Sequence, residues 1–449
     1  MRLATLLDPK ALVARYPPGF GGNPDSWVAA GHRLLDLGYD EKTETRVFFV
    51  PGRIEVVGKH TDYAGGRSLV AATERGLYLA VAARRDRKLR LHDLRSGEQA
   101  SVDLSGELIA EPGHWSAYPS AVARRLRRDF GLEPAGAEVV FSSDLPVAGG
   151  MSSSSALVVA AWWAMAVEPP ADEGPHRLRL AEYLAAVEAG RATGATEGDR
   201  GVGTRGGSED HTAILCSRAG RLGQYSYAPT RPERSVELAD GLVFAIAASG
   251  VRAEKTRGAR AAYNRLSDQA AELAARWRRE TSGREAHLAA ILARGPGAHE
   301  DLSRFAARSP SPGELTRRLE HFLAESEEIV PAATDALAAG ELAAFGRVVD
   351  RSQTLAEELL DNQVPETVHL ARSARGLGAP AASAFGAGFG GAVWALIERR
   401  HLASFLERWR NAYRDAHPER WDAASFFASR PGPGAFELGP RRAAPPRHG

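Results

Sequence analysis

Cysteine is almost missing from this chain. Its 449 residues hold one, Cys216, which excludes an intramolecular disulfide framework and any metal site built on a cysteine cluster. A lone thiol fits a reducing compartment. An excess of charge of one sign is missing too. The 57 basic and 56 acidic residues leave a formal net charge of +1, so no global field recruits nucleic acid or an acidic membrane. Long apolar runs are also absent: the longest, Ala156–Val167, has twelve residues, where a membrane span needs about twenty. It reads as a buried helix. The opening MRLATLLDPKALVARYPPG is too often broken by charge and proline for a secretory segment, so a cytoplasmic location is expected. Lysine is scarce as well: Lys10, Lys42, Lys59, Lys88 and Lys255 are the only five, so each stands in a chain that otherwise prefers arginine. What remains is 44% hydrophobic and 25% charged, the balance of a globular protein with a full core. The length suits two or three domains.

Along the chain, residues 1–40 read as helical with Pro/Gly interruptions. RVFFVPGRIEVVG (46–58) is β-rich and is expected to break at Pro51-Gly52 and Gly58. LYLAVAARR and KLRLHDL (77–94) look like paired strands, SAYPSAVARRLRRDFG (116–131) like a helix stopped by Gly131. AEVVFSSDLP (137–146) is a strand, RLRLAEYLAAVEAG (177–190) a helix, 194–207 a glycine-rich loop and GLVFAIAAS (241–249) a strand. Residues 254–294 and 313–374 are helical, AVWALIE (392–398) is a strand, and the tail 439–449 is expected to be disordered. Strands alternate with helices and the second half is helix-rich, so the fold class is α+β in two lobes. The expected division is 1–232 and 233–438, with a hinge near Pro229–Arg234.

Three loops look built for an anion. PGRIEVVGKHTDYAGG (51–66) crowds Arg53, Lys59, His60, Thr61, Asp62 and Tyr63 around glycines. PVAGGMSSSSA (146–156) puts Gly149, Gly150 and Ser152–Ser155 before a helix, whose unpaired N–H groups and positive dipole end favour phosphate. GAGFGG (386–391), with Gly388 and Gly390, lies between ordered segments. GAGFGG and GVGTRG (201–206) both satisfy G-x-G-x-x-G, but neither follows a strand and opens a helix, so a dinucleotide fold is disfavoured. No G-x-x-x-x-G-K-[ST] occurs.

Taken together, the first loop resembles the galactokinase signature PGR-x-N-x-x-GEHTDYNGG. The second is similar to the ATP loop of the GHMP small-molecule kinases, P-x-x-x-G-L-S-S-S-A, and SAFGAGFGGAVWALIE resembles their third, C-terminal motif. WSAY (115–118), GGSEDH (206–211), VPETVHLA (364–371) and PGPGAFEL (431–438) match in the same order. The resemblance implies a two-lobed GHMP kinase fold, with a ribosomal-protein-S5-like N-terminal lobe and a ferredoxin-like C-terminal lobe. It implies transfer of the γ-phosphoryl of ATP, with Mg²⁺, to the anomeric hydroxyl of a monosaccharide, galactose by default; the alternatives are a 1-kinase for a uronic acid, arabinose or an amino sugar, and a non-catalytic sensor of sugar and ATP. The expected partners are a small-molecule sugar and ATP, with no nucleic acid and no membrane, for a monomer or weak homo-oligomer.

The same resemblance implies the residue roles. Gly149, Gly150, Ser152, Ser153, Ser154 and Ser155, with Gly388 and Gly390, would hold ATP. Ser154 would help ligate Mg²⁺ together with a glutamate on the next helix, where Glu188 matches and Glu182 competes. Asp210 would take the proton of the sugar hydroxyl, with Glu209 a rival, and Arg53 would stand beside it. Lys59, His60, Thr61, Asp62 and Tyr63 would bind the sugar, and Trp115 or Tyr118 would approach the adenine. The chain departs from the signature at two positions: Lys59 replaces its glutamate, which holds a sugar hydroxyl, and Glu55 its asparagine. A lysine cannot accept a hydrogen bond. Either the two form a compensating pair, which needs a bend at Gly58 because four strand residues span about 13 Å, or Lys59 meets an anionic group on another sugar. The basic segment SGVRAEKTRG (249–258) is assigned no role.

Overall fold

The computed structural model describes residues 1–106, 108, 114–147, 149–166, 175–194, 196–251 and 257–439. The expected disordered tail beyond Gly439, Ala148, Val167 and most of the basic segment 249–258, Lys255 included, lie outside them.

The strands are β1 (Thr45–Val57), β2 (Arg67–Ala83), β3 (Lys88–Asp93), β4 (Gln99–Asp103), β5 (Ala137–Ser143), β6 (Arg221–Ser226), β7 (Arg231–Glu237), β8 (Leu242–Ala248), β9 (Ala381–Phe385), β10 (Ala392–Glu398), β11 (Ser425–Ser429) and β12 (Phe436–Glu437). They form two sheets. The first is eight-stranded, in the order β12-β1-β2-β5-β3-β4, with the β6–β7 hairpin joined to the far end of β2. The second is four-stranded, in the order β11-β8-β10-β9. Numbered along its own stretch of chain this is 4-1-3-2, with helices between the first and second and between the third and fourth strands. That is ferredoxin-like topology.

Two expectations need correction. β2 and β3 do not pair: β5 lies between them, antiparallel to β2 and parallel to β3. The apolar faces of three strands must be covered from both sides, and the local hairpin reading missed a partner more than 40 residues downstream. The proposed hinge at Pro229–Arg234 is also misplaced. β7 belongs to the first sheet through its ladder with β6, so the chain changes sheets only after Glu237, and it returns to the first sheet at β12.

One face of the first sheet is covered by the N-terminal helices, where Phe20, Trp27, Phe49 and Tyr78 pack edge to face or tilted. The Trp27 indole donates to the Phe48 carbonyl at 2.9 Å. The other face is covered by helices Ala117–Phe130, Ser153–Met165 and Pro175–Ala189. The second of these is apolar on nearly every side because it is enclosed, as the twelve-residue run implied. The two sheets share a core. Ile54 and Val56 of β1 meet Phe244 and Ile246 of β8, Trp394 of β10, and Val330, Phe345 and Val349 of the helices behind them. The alternate residues of β8, Val243, Ala245 and Ala247, face a separate core with Leu370 and Trp409. Helices between Arg257 and Phe322 close on their own core around Leu273, Trp277, Leu302 and Phe322, and cover Ala64 in the loop after β1.

β1 does not break at Pro51-Gly52. It continues through a register shift there and a second between Glu55 and Val57. Irregularities of this kind re-aim side chains: Ile54 and Val56 enter the shared core, while Arg53 and Glu55 face the cleft between the lobes. Trp394 ties this point down, its indole donating to the Glu55 carbonyl at 3.2 Å. Trp394→Ala should therefore lower unfolding free energy by about 3–5 kcal/mol, measured by urea denaturation.

Candidate active site

The three glycine-bearing loops meet, each touching the other two. Arg53 of the first donates through Nη1 to the Gly150 carbonyl of the second at 2.6 Å. His60 of the first bonds through Nε2 to the Ala387 carbonyl of the third at 3.1 Å. Gly386 of the third has φ +84, and a Cβ there would lie 2.7 Å from the Gly150 carbonyl. They enclose a cleft of about 280 Å³, a size suited to a small-molecule site.

At its centre Arg53, 4% exposed, donates through Nε to Asp210 Oδ1 at 2.7 Å. Asp210 sits in the first turn of helix Glu209–Cys216. Burial alone would lower the Arg53 pKa, but Asp210, Glu55 and Glu209 outweigh it and the net shift is upward, so the guanidinium stays charged. Glu209, the rival base, lies 3.8 Å from Arg53 Nε. Burial first, and then the neighbouring Glu55 and Asp62, push its pKa well above the usual carboxyl value.

At the phosphate end, Ser155 Oγ donates to Glu188 Oε2 at 2.8 Å and lies 3.5 Å from Asp210 Oδ2. Glu188 is buried rather than solvated, and His211 Nε2 stands 3.3 Å from it. Glu182 faces elsewhere and accepts from the Thr230 amide. Ser154 lines the same cleft. Ser152 precedes helix Ser153–Met165 with φ 57, and its buried hydroxyl has no partner among the described residues. Ser153 and Gly150 also line the cleft, whereas Gly149 packs against Pro146. Tyr118 lines the cleft, whereas Trp115 packs on Phe141 and donates to Glu98.

At the other end, the expected sugar-binding run divides. His60 and Asp62 line the cleft. Thr61 is fully buried and donates to the Gly58 and Arg67 carbonyls, so it serves the turn. Tyr63 lies behind, its hydroxyl bonded to His60 Nδ1 at 3.1 Å and to Arg318 at 3.2 Å. His60 has φ 57 and both ring nitrogens engaged. Since Ala387 O can only accept, Nε2 carries the hydrogen and Nδ1 accepts from Tyr63. Both Asp62 oxygens accept amides, from Tyr63 at 2.8 Å and Glu209 at 3.2 Å. Gly207 packs so close to the Asp62 carboxylate that no side chain fits there. Gly388 packs on Asn362, away from the cleft wall, and Gly390 stands at φ +124 before β10; Gly386 and Ala387 are the lining residues of that loop.

Lys59 does not face the cleft, so an anionic sugar cannot be its partner. It is 1% exposed, and its Nζ donates to Ser352 Oγ at 3.0 Å and Ser383 Oγ at 2.9 Å. Glu325 accepts from the Gly58 amide at 2.7 Å and from Ser352 at 2.8 Å, so one serine links the buried ammonium to a buried carboxylate. Gly58, at φ +116, supplies the bend. Glu55 senses Lys59 through space without holding it: burial raises the Glu55 pKa, against Arg53 and Lys59.

Sequence reading missed Tyr263, whose ring lies 5.2 Å from His60 on the cleft wall. It also missed Arg318, buried and bonded to the carbonyls of His60 and Leu266. Both come from the helical stretch 257–322, whose composition carries no local signal for either.

The galactokinase galactose-binding signature matches residues 38–83, the GHMP kinase N-terminal domain 117–202 and the GHMP kinase C-terminal domain 333–415. The chain thus carries a galactokinase signature and both GHMP kinase domains. The galactokinase of Exiguobacterium sibiricum is 26% identical over 412 residues, covering 88% of this chain and 95% of that protein. The galactokinase of Chloroflexus aggregans is 29% identical over 377 residues, covering 82% and 88%. Lactococcus lactis galactokinase, solved with galactose, shares the fold at a TM-score of 0.74 and 23% identity, over 90% of this chain and 98% of that one. Methanococcus jannaschii mevalonate kinase shares it at 0.57 and 15%. Among the described residues no helix is long and apolar enough to cross a membrane.

Burial, and then Arg318, lower the His60 pKa from 6.5 to about 3, so the folded protein keeps this ring neutral. Below pH 6.5 the unfolded chain binds the extra proton and stability falls as pH drops towards 3. His321, buried beside Arg318, acts with the same sign, and Glu55 and Glu209 with the opposite one. In His60→Gln part of the acid-induced loss should disappear, read as Tm against pH for both proteins.

Proposed function

We propose that the protein phosphorylates galactose at its anomeric hydroxyl, using ATP and giving galactose 1-phosphate and ADP. The observation that carries this is the Arg53–Asp210 pair, 157 residues apart in sequence and joined at 2.7 Å in the cleft between the serine loop and the HTD turn. Asp210 Oδ accepts the proton of the anomeric hydroxyl as its oxygen bonds to the γ-phosphorus. The bond from that phosphorus to the β–γ bridging oxygen breaks, and ADP leaves. Arg53 keeps Asp210 in place and offsets charge on the transferred group. General-base help of this kind is worth roughly 10²–10⁴ in rate.

The serine loop suits the phosphates of ATP. The unpartnered Ser152 hydroxyl and the amides opening helix Ser153–Met165 supply donors. Ser155 and Glu188 present two oxygens 2.8 Å apart, a hard donor set that fits Mg²⁺. When bound, the ion neutralises charge shared by the β- and γ-phosphates. Tyr263 and the His60 ring offer apolar faces to the sugar, with Asp62 held rigid by its two amides. The reaction is placed in the cytoplasm, where ATP is supplied.

Asp210→Asn should lower kcat by about 10²–10⁴ with the KM for ATP nearly unchanged; the same loss in Glu209→Gln instead would move the base by one residue. Ser155→Ala should raise the Mg²⁺ concentration needed for half-maximal rate. Both follow from an ADP-release assay with galactose.

A further inference from the structure

The galactose end of the cleft lacks the acceptor that the family signature places at position 59, because Lys59 has none and points into the core. The neighbouring carboxylates and the imidazole on that wall already hold partners. Both Asp62 oxygens take amides, both His60 nitrogens are bonded, and Asp210 holds Arg53. Glu55 is the exception. It lines the cleft at 3% exposure, and its Oε1 has no hydrogen-bond partner among the described residues. The Glu209 carboxyl lines the same wall and lies 3.8 Å from Arg53 Nε. A buried carboxyl oxygen without a partner is costly unless a ligand supplies one.

We propose that Glu55 is a specificity-determining residue of the sugar site, accepting a hydrogen bond from a galactose hydroxyl other than the anomeric one. The acceptor of the signature has moved from the loop to the strand, and Lys59 has become part of the scaffold behind it. This rests on the galactose reading above. Two neighbouring buried carboxyls cannot both ionise easily, and burial raises both pKa values. The unpartnered Oε1 of Glu55 is the face left to the sugar. The register shift after Glu55 and the Trp394 bond to its carbonyl hold that face towards the cleft.

The test is steady-state kinetics of the full chain on galactose and its 2-, 3-, 4- and 6-deoxy analogues, for wild type, Glu55→Gln and Glu55→Asn, with Tm as a check on folding. Both variants should raise the KM for galactose about tenfold or more, leaving the KM for ATP within about twofold. On one deoxy analogue, the sugar lacking the hydroxyl read by Glu55, wild type and variants should become equal. An unchanged KM for galactose, or a loss that is uniform across all five sugars, overturns the assignment. Should either variant unfold, the other carries the comparison. If both do, equal losses of wild type on all four deoxy sugars overturn it, and a loss concentrated on one supports it. Wild type inactive on every one of these sugars overturns the galactose reading itself, and this assignment with it.

Discussion

A buried guanidinium is tenable only with its partners in place, and Arg53 is the point on which this structure turns. One side chain, leaving β1 between two register shifts, holds Asp210 by Nε and the Gly150 carbonyl by Nη1. It thereby fixes the helix Glu209–Cys216, the serine loop and the strand relative to one another. Their mutual position is what a phosphoryl transfer requires, because positioning and electrostatic stabilisation supply most of the catalysis. Removing any partner would leave a buried charge uncompensated, so the site and the local fold stand or fall together.

Around that point the charges are arranged in layers. The front layer, Arg53, Asp210 and Glu188, faces the cleft. The middle layer is the Glu55–Glu209 acid pair. The back layer is the Lys59–Ser352–Glu325 chain, which anchors the turn after β1 to the segment Leu323–Ile329 of the second lobe. That segment is π-helical, a geometry often found at functional sites. The two lobes are joined by a shared apolar core and by this buried polar network.

The recurring motifs were readable because each compresses its chemistry into a few adjacent residues. PGR, HTDY, the serine run and GAGFGG identify the cleft without any structure, and the GHMP lobes follow from their order. What was misread is as informative. In the run Lys59–Tyr63 all five residues looked alike as sugar ligands, yet the turn sends His60 and Asp62 to the cleft and Lys59 and Thr61 to the core. Side-chain direction at positive φ is set by what packs behind the loop, and here that is Ser352, Ser383 and Arg318 from the distant second half of the chain.

By itself, then, the amino-acid sequence determined the α+β class, the three loops, the identity of Arg53 and Asp210 as candidates, and the absence of disulfides, because these depend on local residue chemistry and short-range spacing. Tertiary structure alone decided that β5 separates β2 from β3, that the lysine replacing a ligand is buried scaffold, that Tyr263 joins the cleft wall and that Glu55 keeps an oxygen unpaired. Each of these depends on which distant segments pack against one another, a matter of long-range burial and hydrogen-bond satisfaction that no local pattern encodes.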